Sequence, residues 1–263
     1  MIRALFSAAS GMNAQQLNVE NIANNIANAN TTGFKSRRAQ FQDLLYQNMI
    51  QPGAAASQQT TVPTGLQMGL GTRAVSNEII FTQGDFSQTD NPLDMVIQGN
   101  GFFQIRQTSG TLAYTKAGNF HLNNTGQVVD PNGNLLDPPI TIPTNALSTT
   151  IAADGTVSFT LPGQTSAQQA GQIQLANFPN PSGLNSIGNS LFQQTDASGD
   201  PVIGAPGSQD GMGTLLQGYV EQSNVSIVQE FVNLIVSQRA YEANSKVVKA
   251  ADDMYQQVNN LKQ

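Results

Sequence analysis

The strongest constraint on this chain is a seven-residue apolar recurrence near its end. Ile227, Leu234, Tyr241, Val248 and Tyr255 share one heptad position, and Phe231 fills an intervening one. A side chain repeated every seven residues returns to the same helix face after two turns, so this stretch predicts a long helix with one continuous seam. Gln238, Ser245 and Asp252 occupy the later equivalents of Phe231. Val228 and Ile235, with Val225 and Val232 nearby, widen the apolar face of its first half, and Ser223 or Asn224 can cap its start. The other end of the chain carries a matching seam. Ile2, Leu5, Ala9, Met12, Val19, Ala23 and Ile26 follow in steps of three and four, with Gln16 the one polar member. Thr31-Thr32-Gly33 then supplies a stop, glycine being suited to the left-handed conformation past a helix end. Each helix would be about 40–50 Å long at 1.5 Å per residue.

With no third helical pattern between them, the two seams are expected to pair as a coiled coil of residues 1–33 and 222–263. That pair is marginal by itself. The stretch NIANNIANANTTGFKS places Asn21, Asn24, Asn25, Asn28 and Asn30 on or just past the first helix. Asparagine costs roughly 0.5–0.7 kcal/mol against alanine in a helix interior. Phe6, Leu17 and Val228 also lie off the main seam. Such a pair is expected to be completed by neighbouring molecules.

Between the helical ends the grammar changes. Residues 34–72 read as an extended arm, and QPGAAASQQTTVPTGLQMGLG within it is nearly uncharged and rich in Gly, Pro, Ser, Thr and Gln. From residue 73 to 221 short strand-like runs alternate with turn signals. Asn124-Thr125-Gly126 and Asn132-Gly133 mark turns, and Gly99-Asn100-Gly101 a bend into a strand. No βαβ spacing occurs, so the expected fold is α+β, with a central antiparallel β domain.

Composition narrows the function classes. Charged residues are 11% of the 263, against about 25% in an average soluble chain. The surface must then be largely Asn, Gln, Ser and Thr, which suits stacking against copies of the same chain. A net charge of −6 argues against nucleic-acid binding. Lys35, Arg37 and Arg38 form the only tight basic group and read as a solvated cluster. There is no cysteine, hence no disulfide or thiolate chemistry. The start is read as mature helix, not a cleaved leader, and no apolar run approaches the ~20 residues of a membrane span.

Catalytic patterns are missing. His121 is the single histidine and lies inside a predicted hairpin. Asp85, Asp90 and Asp94 read as turn residues rather than a glycosidase pair. The run from Asp130 to Asn134 lacks the terminal glutamate of a calcium loop. No catalytic, cofactor or metal site is expected.

Three stretches resemble the family of flagellar basal-body rod and hook (axial) proteins. ANNIANANTTGFKS carries Asn24, Asn25, Asn28, Thr32, Gly33 and Phe34; GDFSQTDNPLDMVIQGNGFFQI carries Gly99, Gly101, Phe102 and Phe103; GYVEQSNVSIVQEFVNLIVSQRAYEANSKVVKAADDM covers the final helix. Length and the insert-like segment resemble the distal-rod branch. The resemblance implies a homo-oligomeric helical tube. In it the terminal helices line an export channel, the β domain forms the outer wall, and the arm braces subunits. It also implies proximal rod proteins, the hook protein and the surrounding rings as partners, with no nucleic acid and no membrane insertion. The expected location is the rod of the flagellar basal body across the periplasm, reached by export without a cleaved signal peptide. Another rod or hook paralogue of the same family remains open, as does a different class: a secreted β-domain binding module on a helical stalk. Its equipment for stacking on sugars is poor, with 6% aromatics and no Trp.

Overall fold

The computed structural model describes residues 2–52, 55–57, 60–61, 63–164, 166–208 and 211–260. The side chain of Ile2, and residues 53, 54, 58, 59 and 62 of the expected insert, lie outside the described residues. The chain forms an α+β fold of two compact units. The first contains Met1–Ala27, Arg37–Glu78 and Ser226–Gln263, and the second Asn28–Ser36 and Ile79–Val225.

The first unit is built on two helices, α1 (Ile2–Ala27) and α2 (Ile227–Asn260). They run antiparallel: Asn25 meets Glu230 and Asn18 meets Ser237, at 3.0 and 2.9 Å, while Gly11 faces Asn244. The third element is the arm, which folds into one long β-hairpin. Strand β1 (Arg37–Asp43) returns as β6 (Thr72–Ile79), β2 (Tyr46–Ile50) pairs with β5 (Leu66–Gly69), and β3 (Ala55–Ser57) with β4 (Thr60–Thr61). The Gly/Ser/Thr-rich stretch that reads as a connector is therefore the outer part of this hairpin. Register shifts at Asn48/Ile50 and Ala55/Ser57 bend it, as bulges do.

Among the described residues of the second unit the regular elements are β-strands and one 3₁₀ turn, Pro181–Gly183. All its pairings are antiparallel. Its largest sheet runs His121–Leu122, Val128–Val129, Leu135–Asp137, Phe102–Arg106, Leu112–Thr115, Leu191–Gln193, Asn185–Gly188. Leu175–Asn177 also pairs with Phe102–Arg106 and carries Val202–Gly204. The turns expected at Asn124–Gly126 and Asn132–Gly133 join the first three strands. A three-stranded sheet, Ser148–Ile151, Thr156–Thr160 and Gln168–Gln172, and the pair Met95–Gln98 with Thr214–Gln217 complete the main core.

Phe102 and Phe103 explain why this unit is well packed. Successive strand residues point to opposite faces, so the adjacent rings enter two different cores. Phe103 stacks edge-on against Phe120 at 5.2 Å. Phe102 lies among Phe81, Phe178 and Phe192 at 5.3, 5.7 and 6.2 Å. Such edge-to-face pairs add about 0.5–1.5 kcal/mol each beyond area burial. Gly99 and Gly101, at φ +115° and +126°, make the turn that delivers this strand.

Gly118 shows how close the backbones approach. Its carbonyl accepts from the Met95 amide, and a Cβ placed on it would come within 1.6 Å of the Met95 oxygen. Gly118→Ala is expected to force the two backbone segments apart and cost at least about 1–3 kcal/mol in thermal unfolding. Gly171→Ala, whose added methyl meets only Ile140 at 3.4 Å, should leave the transition nearly unchanged.

Candidate assembly surface

The seam between α1 and α2 is made of small and polar side chains. Asn25–Glu230, Asn18–Ser237 and Gly11–Asn244 succeed one another at seven-residue intervals on both helices. Ala8, Ala14, Ile22 and Asn25 are buried on α1, and Ser237 and Ala251 on α2. Around this centre Leu5, Met12, Val19 and Ile26, with Leu234, Val248 and Tyr255, are half-buried. Ala9 and Ala23, and across from them Ile227, Phe231 and Tyr241, are exposed. An apolar periodicity cannot register a seam whose centre is Gly, Asn and Ser. The signal that marks it is the heptad repeat Gly11, Asn18, Asn25 set against Glu230, Ser237, Asn244, Ala251.

Other apolar residues are left exposed. Val228, Phe231, Val232 and Ile235 form an i, i+3, i+4, i+7 stripe on α2, each about half exposed or more, and Phe6 is 67% exposed on α1. The hairpin adds Leu45, Tyr46, Met49, Ile50, Leu66 and Met68, all exposed. Exposed apolar side chains in such number on one unit mark it as a candidate interaction surface.

The asparagines of the first helix serve the arm as well as the helix pair. Asn25 donates to the Arg37 carbonyl and accepts from the Arg37 amide, both at 2.9 Å, so its amide acts as an extra rung on β1. Its second N–H goes to Glu230. Asn77 donates to Asn21 at 2.7 Å. Asn28 accepts from the Thr31 hydroxyl in the turn after Ala27, and Asn24 is exposed on α1.

In the second unit, Thr32 and Phe34 are half-buried and Gly33 is buried in the left-handed conformation, φ +67°. A Cβ there would sit 2.5 Å from the Ala117 nitrogen, so any side chain would collide with backbone. Helix α1 has already ended at Ala27, so Gly33 shapes the entry into the β unit rather than capping the helix. Lys35 is not part of a solvated cluster. Its side chain is fully buried and its ammonium lies 2.6 Å from Glu221 Oε1 and 2.8 Å from the Thr82 carbonyl. The Gly84 amide donates to the same carboxylate oxygen. In the first unit, Arg38 is exposed and bonds Glu78 at 3.1 Å.

Lys116 is a second buried lysine of the β unit. It donates to the Gly99 carbonyl at 2.9 Å and lies 5.5 Å from the Phe102 ring centre. Burial pushes its ammonium down to about 8, Glu221 opposing the shift and Lys35 adding to it.

The remaining sequence candidates are built into turns. Asp130 Oδ1 accepts from the amides of Asn132 and Asn134, closing the turn that resembled a calcium loop. Asp94 accepts from Asn91, Asp85 and Asp90 are exposed, and His121 is exposed on its short strand. Among the described residues no group of His, Asp and Glu could hold a metal ion, and no helix is long and apolar enough to cross a membrane.

Three family models match the chain. "Flagella basal body rod protein" covers residues 5–35, "Flagellar hook protein FlgE/F/G D1 domain" 96–159, and "Flagellar basal body rod FlgEFG protein C-terminal" 216–261. Curated relatives include flagellar basal-body rod protein FlgG of Caulobacter vibrioides, 53% identical over 99% of this chain and all of that one. FlgG of Buchnera aphidicola from Schizaphis graminum is 48% identical with the same coverage, and FlgG of Bacillus subtilis 38% with both chains fully covered. The chain therefore belongs to the flagellar rod and hook protein family, as a structural protein of the basal-body rod.

Two outcomes test this geometry. Asn25→Ala leaves the Arg37 amide and carbonyl without their side-chain partner, a loss of on the order of 2 kcal/mol; the Arg37 amide should exchange with deuterium about 30-fold faster. For Lys116, a folded-state value below 10.5 means that the native state releases its proton first as pH rises. Its burial penalty applies in full below about pH 8 and fades between 8 and 10.5, on the order of 3 kcal/mol over the window. Denaturation midpoints should show this alkaline gain in the wild type and lose it in Lys116→Met.

Proposed function

We propose that copies of this chain polymerise into the distal rod, a hollow helical tube that carries motor torque to the hook and encloses the export channel. The reading is carried by the apolar stripe of α2, which the helix pair of one chain leaves uncovered in a protein of the rod family. A heterologous contact that does not close on itself generates a helix of subunits, and burying each large side chain of the stripe against a neighbour would contribute about 1.5–3 kcal/mol. The two helices would then form a coiled-coil inner layer with Ile2, Leu5, Ala9, Met12, Val19, Ala23 and Ile26 facing Ile227, Phe231, Leu234, Tyr241, Val248 and Tyr255 across intra- and intersubunit seams. Residues 73–221 would form the outer layer. The arm, 34–72, would lie along neighbouring subunits and stiffen the tube. Proximal rod proteins and the hook protein would cap the two ends, the periplasmic and outer-membrane rings would surround it, and subunits would arrive by export without a cleaved leader.

Electron microscopy of basal bodies from cells lacking this gene should show rods that stop short and bear no hook. Supplying the chain should restore them, whereas Ile235→Lys, which places a charge on the stripe, should not. A complete rod with its hook in the deletion strain would overturn the assignment.

A further inference from the structure

Every covalent connection between the two units leaves the β unit from one of three short segments: 28–36, 79–84 and 221–225. Within the β unit these segments are bonded to one another side by side. Segments 28–36 and 221–225 are joined by Lys35 to Glu221 at 2.6 Å, by the Gly33 amide to the Glu221 carbonyl at 2.8 Å, and by the Ser36 amide to Asn224 Oδ1 at 2.7 Å. Segments 28–36 and 79–84 are joined by Lys35 to the Thr82 carbonyl and by the Ile80 amide to the Ser36 carbonyl. Segments 79–84 and 221–225 are joined by the Gly84 amide to Glu221 and by Asn224 Nδ2 to the carbonyls of Ile80 and Thr82. Three side chains, Lys35, Glu221 and Asn224, thus tie all three segments pairwise.

We infer that Lys35, Glu221 and Asn224 form a force-bearing clamp, through which load passing between the helical and β units is shared by all the connecting strands at once. Bonds loaded together yield together, whereas a strand held alone peels one hydrogen bond at a time. The pair is fully buried, so water does not compete for its partners when it is strained. Removing one member leaves a buried charge unpaired, and replacing both by apolar groups of similar size is close to neutral at rest. That asymmetry separates mechanical from thermodynamic roles. The inference rests on the rod reading only for its purpose; the clamp itself is a property of the single chain.

The test uses the full chain held by handles at residues 1 and 263 in an optical trap. Because the helices are antiparallel with their free ends together, pulling the termini peels them apart first. The load then reaches the β unit at residues 28 and 225, on either side of the clamp. Three variants are compared with wild type: Lys35→Met with Glu221→Leu, Asn224→Ala, and Leu136→Ala, a core truncation remote from the clamp. Unfolding rates are measured under constant load and, without load, in denaturant. The double variant should unfold at least about tenfold faster under load with a much smaller change in denaturant; Asn224→Ala, which leaves the Ser36 amide and two carbonyls without that partner, should shift both rates, the loaded one by the larger factor. Leu136→Ala should shift both rates by the same factor. Should the double variant fail to fold, Asn224→Ala carries the comparison. Equal shifts under load and in denaturant for the clamp variants would overturn the clamp. A basal-body result against the rod would leave this measurement standing, and a failed load test would leave the rod standing.

Discussion

A helix pair whose shared seam is Gly, Asn, Ser and Ala cannot be held together mainly by burial of apolar surface between its own members. Gly11, Asn18 and Asn25 against Asn244, Ser237 and Glu230 let the two helices approach and register through polar bonds, fixing their alignment to the residue. The energy of large apolar side chains is left on the outside, at Val228, Phe231, Val232 and Ile235. Alignment and affinity are thereby separated. The seam sets which residues of α1 and α2 lie together, and the outward stripe is free to be buried elsewhere. A seam of leucines would have stabilised the single chain and left nothing to drive association.

The same separation accounts for what could be read from sequence and what could not. The two helices, the antiparallel β domain and its turns at Asn124–Gly126 and Asn132–Gly133 were legible because each depends on local periodicity and glycine placement. The details of the helix seam were not, because hydrophobic pattern marks where apolar groups are, and the bonds that register these two helices are made by Asn18, Asn25, Glu230 and Ser237. The arm was hidden for a related reason. Its strands Tyr46–Ile50 and Leu66–Gly69 are exposed along their whole length, so no alternation of buried and exposed faces singles them out; main-chain pairing and the Asn25 rung are what order the arm. Lys35 escaped because burial of a lysine depends on a partner 186 positions away.

The β unit is stabilised differently. Phe102 and Phe103 place one strand between two cores, and Gly33 and Gly118 allow backbones to approach where a methyl group would collide. The unit contains its own hydrophobic interior and does not depend on neighbours for it.

Against that background the placement of charge is informative. The chain has few charged residues, and of the ion pairs among its described residues Arg38–Glu78, Arg106–Asp137 and Arg239–Glu242 have exposed arginines, where such pairs contribute at most about 1 kcal/mol. Lys35–Glu221 alone is fully buried. Burying an ion pair gains little stability over an apolar substitute, so economy of charge elsewhere makes this expenditure specific to its position. What the pair supplies that two leucines would not is direction. Lys35 donates to a defined set of oxygens on two other segments, and Glu221 accepts from a defined set of donors, so the three segments can lie together in only one register. The chain crosses between the two units at those segments, so that register fixes the points at which the chain leaves the β unit.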